Sequence, residues 1–243
     1  MQISFFEEFP TADNLEKVKL IDFPTKLYIL AHSLSEFRKF EKLIKIPLVY
    51  WAALPKIYGY WISPFSKRGA LLKVLAEVKN EAIELMLDLE APTIVPWMYL
   101  IGLPNFWRNK KFITSFIQES KPEITLVELN GDERRLKFWG LHYESKRANM
   151  AKMLYTSLLK GSRAAKVAKL REVCELGIEK YGTRFKIGLG CIAGGILGIE
   201  PILSPEELGE DLKIVKESEV SEAIIFRLGG LNEAYLKAIR KFI

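Results

Sequence analysis

The strongest constraint on the fold is a regular alternation along the chain. Short runs of apolar, β-branched or aromatic residues alternate with longer amphipathic segments, and eight such units can be counted. This order is typical of consecutive strand-helix units that build a parallel sheet. Several of the runs are apolar at successive positions, as expected of strands that are covered on both faces. The predicted strands are residues 3–7, 26–31, 47–52, 83–88, 123–129, 152–157, 185–189 and 223–227.

Eight units in a chain of 243 residues predict an α/β fold of the (β/α)8 TIM barrel type. The length suits one such barrel, so we expect a single domain over residues 1–243. The fifth unit is open to two interpretations. Asn130-Gly131 lies between the apolar runs 123–129 and 136–141, which is a strong hairpin signal. The barrel strand is therefore one of these two arms, and the other would form an extra β-hairpin near 123–142.

Local signals mark the ends of several predicted helices. Ser33 and Ser204 each precede a helix and are followed three residues later by Glu, the pattern of a capping box. The longest helix is predicted over about 163–181, with Gly182 as its stop. Ser66 is placed to cap the helix after the third strand. The connection before it is long, and it is equally typical of a lid over a ligand and of a plain linking segment.

Composition and charge narrow the choice of partners. The formal net charge is +6 and the pI about 9.1, but basic and acidic residues are interleaved, which predicts a solvated surface and no nucleic-acid partner. Abundant Lys, Glu and Ile, with Gln only at Gln2 and Gln118, indicate a thermophilic, archaeal source. Cys174 and Cys191 lack CxxC spacing, and the uncharged stretch 187–199 is too short for a membrane span. We expect a cytoplasmic protein without a membrane partner, whose oligomeric state stays open.

An acidic pair follows the fourth predicted strand, where active sites of such barrels lie. Asp88 and Glu90 are separated by one residue, so in an extended chain their side chains point the same way. Two carboxylates so close cannot both ionise freely, and one should keep a proton near neutral pH. That division suits glycoside cleavage, in which a carboxyl group donates to the leaving oxygen. The alternative is a pair of solvated loop acids or helix-capping residues.

Three segments resemble glycoside hydrolase family 18, the chitinases and related N-acetylglucosaminidases. Asp88-Leu89-Glu90-Ala91-Pro92 resembles the end of the family's DxxDxDxE motif, in which the last Glu is the general acid. Met153-Leu154-Tyr155 resembles its Met-x-Tyr-Asp element, with Thr156 in the Asp position. Phe226 stands in the eighth strand where the family usually presents a Trp under the sugar.

This resemblance implies a role for each matched residue. Glu90 would be the proton donor, Asp88 would orient and stabilise the developing positive charge, and Tyr155 would hydrogen-bond the reacting group. The chain departs from the motif at its first two Asp positions, which are Ile83 and Met86. In the family, those two acids help to hold and polarise the third Asp of the motif, which is Asp88 here. Their loss weakens the expectation of the substrate-assisted chemistry of the family.

Further candidate ligand contacts lie after the predicted strands or in aromatic clusters between them. Aromatic side chains near acids are suited to stacking on sugar rings, although they can equally form a satellite core over the barrel mouth. The ligand would be a small molecule or an oligosaccharide. The predicted substrate-binding residues are Glu7, Trp61, Trp97, Tyr143, Glu144, Phe226 and Arg227.

The leading interpretation is a carbohydrate-active hydrolase, or a degenerate relative that binds a glycan, without a cofactor and without metal ligands. A second is a metal- or phosphate-dependent TIM-barrel enzyme acting on a small metabolite. In it, Glu7, Asp88, Glu90 and Glu144 would converge on Mg or Mn, and Gly-rich turns after the last two strands would bind phosphate. A third is a noncatalytic barrel that serves as a binding module.

Overall fold

The computed structural model describes residues 1–196, 198 and 200–243. Eight strands form a closed parallel barrel in sequence order, which confirms the predicted α/β fold of the (β/α)8 TIM barrel type. The strands are β1 (Gln2–Glu7), β2 (Leu27–Ala31), β3 (Leu48–Ala52), β4 (Glu84–Asp88), β5 (Glu123–Leu129), β6 (Asn149–Met153), β7 (Phe185–Leu189) and β8 (Glu222–Phe226).

Helices follow the strands along the chain. The α-helices in the described residues are α1 (Ala12–Glu16), α2 (Leu34–Leu43), α3 (Arg68–Val78), α4 (Met98–Gly102), α5 (Phe106–Glu119), α6 (Glu133–Trp139), α7 (Arg163–Tyr181), α8 (Pro205–Glu217) and α9 (Glu233–Ile239). Short 3-10 helices lie at Lys17–Leu20, Lys56–Tyr58, Leu103–Asn105, Thr156–Leu158, Gly182–Arg184, Leu228–Gly230 and Arg240–Phe242. Within the described ranges, none of these helices combines the length and the apolar character needed to cross a membrane.

Seven of the eight strands lie within one residue of their predicted ends, but the prediction for the sixth was wrong. β6 pairs with β7 from Met150 to Met153, and the chain leaves the sheet after Leu154. Tyr155 therefore lies beyond the strand. Of the Met153-Leu154-Tyr155 run that suggested a strand here, Met153 and Leu154 are buried, and the half-buried Tyr155 packs its ring over Gly190. Polar residues inside β6 had weakened the true strand signal.

The predicted hairpin in the fifth unit was also wrong. The barrel strand is the first arm, β5, and the second arm lies mostly in the helix α6. Asp132 caps this helix by accepting a hydrogen bond from the Arg134 N–H, and Gly140 ends it with a φ of 64°. A two-residue hairpin turn of the Asn-Gly type needs positive φ at both positions. Neither Asn130 nor Gly131 is among the described residues with positive φ.

The predicted helix ends are mostly confirmed. The Ser33 hydroxyl accepts from the Glu36 N–H, but the Glu36 carboxylate accepts from the His32 N–H, so the predicted capping box is only half formed there. Ser204 forms a full capping box with Glu207. Gly182 follows α7 as predicted. Ser66 is not a cap, because Lys67 occupies the N-cap of α3 and the Ser66 hydroxyl bonds within its own loop.

The chain divides into two compact units, residues 1–29 with 150–243 and residues 30–149. The interior of the first unit contains a buried ionic cluster contributed by β1, β2, β7 and β8. The Glu222 carboxylate accepts from the Ser4 and Tyr28 hydroxyls at 2.6 and 3.1 Å and lies 2.8 Å from the Lys186 ammonium. In the core of the second unit, Phe37 is stacked on Tyr50.

Candidate functional site

In the second unit, the acidic pair lies at the carboxyl end of β4. Asp88 is the last residue of the strand and is 1% exposed, whereas Glu90 is half-buried. The Leu89 N–H donates to the Val127 carbonyl at 2.8 Å, so the backbone between the two acids still pairs with β5. The Asp88 carbonyl accepts from the Ile62 N–H at 3.0 Å. Asp88 is thus held in the core, and Glu90 lies nearer to the surface.

The connection after β3 is fixed by buried hydrogen bonds. The Ser66 hydroxyl donates to the Trp61 carbonyl at 2.9 Å, and the Asn109 amide donates to the Pro64 and Ser66 carbonyls, each at 2.9 Å. Trp61, a predicted ligand contact, is only 6% exposed and packs edge-on against Tyr60. A segment pinned in this way has the character of a linking segment and not of a lid.

Trp97, another predicted ligand contact, is 58% exposed. It lies just before α4, in a part of the second unit where several large apolar side chains face solvent. Exposed aromatic and aliphatic side chains grouped in this way commonly mark an interaction surface. These residues are Trp97, Leu100, Ile101, Leu103 and Trp107.

Tyr143 and Glu144 lie in the segment between α6 and β6. They line a cavity of about 270 Å³ together with Lys110, Lys137 and His142. Tyr143 is buried, its hydroxyl has no hydrogen-bond partner among the described residues, and burial raises its pKa. The Glu144 carboxylate is exposed and lies 2.7 Å from the Lys137 ammonium. The structure therefore brings these two predicted residues together in one cavity.

A buried histidine adjoins the same cavity. His142 Nδ1 lies 2.8 Å from the Glu128 carboxylate of β5, and Nε2 lies 2.9 Å from the Glu133 carboxylate of α6. The side chains of His142 and Glu128 are fully buried. The sequence interpretation did not include these three residues. Two signals could have found the pair at the centre of this group. Glu128 is an acid inside an apolar strand, and His142 is one of only two histidines in the sequence.

In the first unit, Glu7 and Arg227 form a buried pair 3.1 Å apart. The Glu7 carboxylate, which is 0% exposed, also accepts from the N–H groups of Phe9 and Gly229, each at 2.7 Å, and from the Asn14 amide at 3.4 Å. Burial raises the pKa of Glu7, and Arg227 and the two backbone N–H groups oppose that shift. The pair ties the carboxyl ends of β1 and β8 together.

Tyr155 and Phe226 also meet in the first unit, with ring centroids 5.5 Å apart. Phe226 is 6% exposed, and the Tyr155 hydroxyl donates to the Met153 sulfur at 3.4 Å. Two acids outside the predicted ligand contacts accept hydrogen bonds from the loop after β7. The Glu200 carboxylate accepts from the Gly195 N–H at 3.2 Å. The Glu8 carboxylate accepts from the N–H of residue 196 at 3.0 Å.

Cys174 and Cys191 are both free and buried, as the absence of CxxC spacing suggested. Burial raises the pKa of each thiol to about 12. Because the thiolate is the reactive form, neither cysteine is set up as a nucleophile or a metal ligand at neutral pH.

No protein-family model matches the chain, and no curated protein sequence matches it. Solved structures do share its fold. The PgaB (BpsB) glycoside hydrolase domain from Bordetella bronchiseptica aligns with a TM-score of 0.58 and 9% identity, over 99% of this chain and 98% of that one. A D-tagatose 3-epimerase-like protein aligns with a TM-score of 0.54 and 12% identity, over 99% and 95% of the two chains. The catalytic domain of beta-amylase from Paenibacillus polymyxa aligns with a TM-score of 0.53 and 8% identity, over 100% of this chain and 97% of that one.

Proposed function

We propose that the chain is a carbohydrate-active hydrolase, or a degenerate relative that binds a glycan, and that its site is the acidic pair at the carboxyl end of β4. The observation that carries this proposal is the unequal burial of the pair, with Asp88 at 1% exposure and Glu90 half-buried two residues later. Two carboxylates in different environments can divide the roles of charged group and proton donor. The glycoside hydrolase domain and the beta-amylase named above support a carbohydrate ligand.

Each residue of the proposed site has a distinct role. Glu90, the more accessible acid, donates a proton to the leaving oxygen, and Asp88 stabilises positive charge that develops on the sugar. Trp97 is 58% exposed and offers an aromatic face for stacking on a sugar ring. The parts that the family 18 resemblance assigns to Tyr155 and Phe226 stay predictions. Contacts from the remaining candidates, Glu7, Trp61, Tyr143, Glu144 and Arg227, stay predictions.

The test measures hydrolysis of chromogenic N-acetylglucosaminides and of a panel of oligosaccharides by the full chain. Glu90→Gln should lower kcat by about 10²–10⁴-fold, because it removes the proton donor and preserves the shape of the side chain. Glu84→Gln is the matched control, since Glu84 lies at the opposite end of the same strand and should leave kcat unchanged. Full activity of Glu90→Gln would sink the assignment.

Calorimetric titration with the same oligosaccharides separates the two forms of the proposal. Saturable binding without hydrolysis supports the noncatalytic form. Absence of both binding and hydrolysis across the panel contradicts the proposal.

A metal- or phosphate-dependent enzyme acting on a small metabolite is the second candidate. The D-tagatose 3-epimerase-like protein, which shares the fold over 99% of this chain, has a small sugar in its name and supports a small ligand in place of an oligosaccharide. Activity on a small sugar or metabolite that requires added Mg, Mn or phosphate would support this candidate. Hydrolysis of an oligosaccharide in the absence of all three would count against it.

A further inference from the structure

Four ionisable side chains meet in the second unit, away from the acidic pair. Glu128 comes from β5, Glu133 from the first turn of α6, and His142 and Glu144 from the segment that follows α6. One ligand atom from each of Glu133, His142 and Glu144 can be chosen so that all three lie within 4.8 Å of one another. Glu128 contacts the opposite nitrogen of the histidine.

The hydrogen bonding of His142 fixes which ring nitrogen carries the proton. An ionised carboxylate only accepts, so Nδ1, at 2.8 Å from Glu128, is the nitrogen that donates. In the neutral ring Nε2 is then a bare lone pair. It lies 2.9 Å from Glu133 Oε1 but makes no hydrogen bond with any described residue. Two acceptors therefore face each other at a fully buried nitrogen, and a cation between them would satisfy both.

We propose that His142 Nε2, Glu133 and Glu144 bind a divalent transition-metal ion, with Glu128 as the positioning residue for the imidazole. A carboxylate at the second nitrogen of a metal-binding histidine is a recurrent arrangement that orients the ring and raises its basicity. Zinc binds nitrogen and carboxylate oxygen at about 2.0–2.2 Å. Tetrahedral ligands then lie roughly 3.4 Å apart, so a small outward shift of the Glu133 side chain, which is 36% exposed, accommodates the ion.

The donor set selects the class of metal. One imidazole with two carboxylates suits zinc, cobalt or manganese, whereas magnesium and calcium prefer sites made of oxygen ligands only. Among the divalent ions that suit the set, affinity should fall from zinc through cobalt to manganese. The Lys137 ammonium, 2.7 Å from Glu144 Oε1, competes for that carboxylate, and metal binding would displace it or use the second oxygen.

The position of the site suggests what the ion does. In α6, which the structure describes in full, no residue is buried, so apolar packing contributes little to holding this helix. Glu133 lies in its first turn, and the other ligands follow its C-terminal end. A bound ion would therefore tie both ends of a weakly packed helix to the Glu128 side chain of β5. Stability, and not only binding, should depend on the metal.

The experiment is calorimetric titration of the chelator-treated full chain with Zn²⁺, Co²⁺, Mn²⁺ and Mg²⁺ at neutral pH. One Zn²⁺ should bind per chain, and the Tm should rise with Zn²⁺ concentration. Glu133→Gln should weaken Zn²⁺ binding at least about tenfold and reduce the rise in Tm at a given Zn²⁺ concentration. Glu128→Gln should weaken Zn²⁺ binding about 10–100-fold through the imidazole. Glu133 is partly exposed, so its substitution should leave the fold intact, which far-UV circular dichroism checks.

The two histidines provide a matched control. His142→Gln should lose the site, whereas His32→Gln changes an exposed histidine outside the cluster and should bind Zn²⁺ like the parent. Absence of saturable Zn²⁺ binding would overturn the proposal. Equal Zn²⁺ affinity in the parent and in Glu133→Gln would overturn it as well. Neither result bears on Glu90, because the metal site and the acidic pair share no residue.

Discussion

Two buried polar groups, Glu7 in the first unit and His142 in the second, differ in how well their surroundings match them. Among the described residues, the Glu7 carboxylate accepts from four donors, namely two backbone N–H groups, the Asn14 amide and the Arg227 guanidinium. His142 Nδ1 donates to the Glu128 carboxylate, but the bare lone pair of Nε2 faces a second acceptor, the Glu133 carboxylate. Burial alone therefore does not distinguish an anchor from a binding site. The balance of donors and acceptors does.

The largest expected effect on stability comes from removing Arg227, the cationic partner of the Glu7 carboxylate. Arg227→Met removes the cation beside Glu7, which is 0% exposed, and leaves an uncompensated buried charge. We expect the free energy of unfolding to fall by about 3–5 kcal/mol. Urea unfolding measures it, with Arg240→Met as the control. Arg240 pairs with Asp22 at the exposed surface, so a loss as large in Arg240→Met would contradict the distinction.

A smaller effect is expected in the pH dependence of stability that arises from the titration of Glu7. Burial, opposed by Arg227, raises the pKa of Glu7 above its ordinary value of 4.5. From pH 4.5 up to the raised pKa, the folded state holds more protons than the unfolded state, so the contribution of Glu7 to stability falls as the pH rises. Glu7→Gln cannot titrate. The free energy of unfolding of the parent minus that of Glu7→Gln, from urea unfolding at several pH values, should decrease above pH 4.5. An increase would refute the raised pKa.

The smallest effects come from two buried tyrosines. The Tyr235 hydroxyl donates to the Leu203 carbonyl at 2.6 Å, so Tyr235→Phe should cost about 1 kcal/mol of unfolding free energy. The Tyr143 hydroxyl has no hydrogen-bond partner in the described part of the chain, so Tyr143→Phe should change stability by less than about 0.5 kcal/mol. Thermal unfolding of both variants checks the pair. Equal losses of unfolding free energy in the two variants would show that the Tyr143 hydroxyl has a hydrogen-bond partner.

Much of the fold could be predicted because apolar runs mark buried parallel strands independently of what they contact. β4 and β8 are examples in which every interior position is apolar, and their ends were placed within one residue. β6 failed because Asn149 and Lys152 interrupt its apolar pattern. The Asn130-Gly131 signal failed because a turn that leads into a capped helix and a hairpin turn begin with the same residue types.

The candidate sites were harder to predict than the fold. The acidic pair was visible because its two members are neighbours in sequence. The cluster at His142 was not, since Glu128 lies 14 residues away and whether the two make contact depends on the path of α6. The expected thermophilic, archaeal source and cytoplasmic location rest on composition and stay predictions.

The buried ionic cluster at Glu222 bears on how the strands of the first unit find their alignment. Side chains alternate between the two faces of a strand, so a slip of β8 by one residue would turn the Glu222 carboxylate to the opposite face. Lys186 on β7 and the Tyr28 and Ser4 hydroxyls would then lose the Glu222 carboxylate as a partner. Apolar neighbours tolerate such a shift far better than an ion pair does. The four polar side chains of this cluster therefore favour a single alignment of β1, β2, β7 and β8.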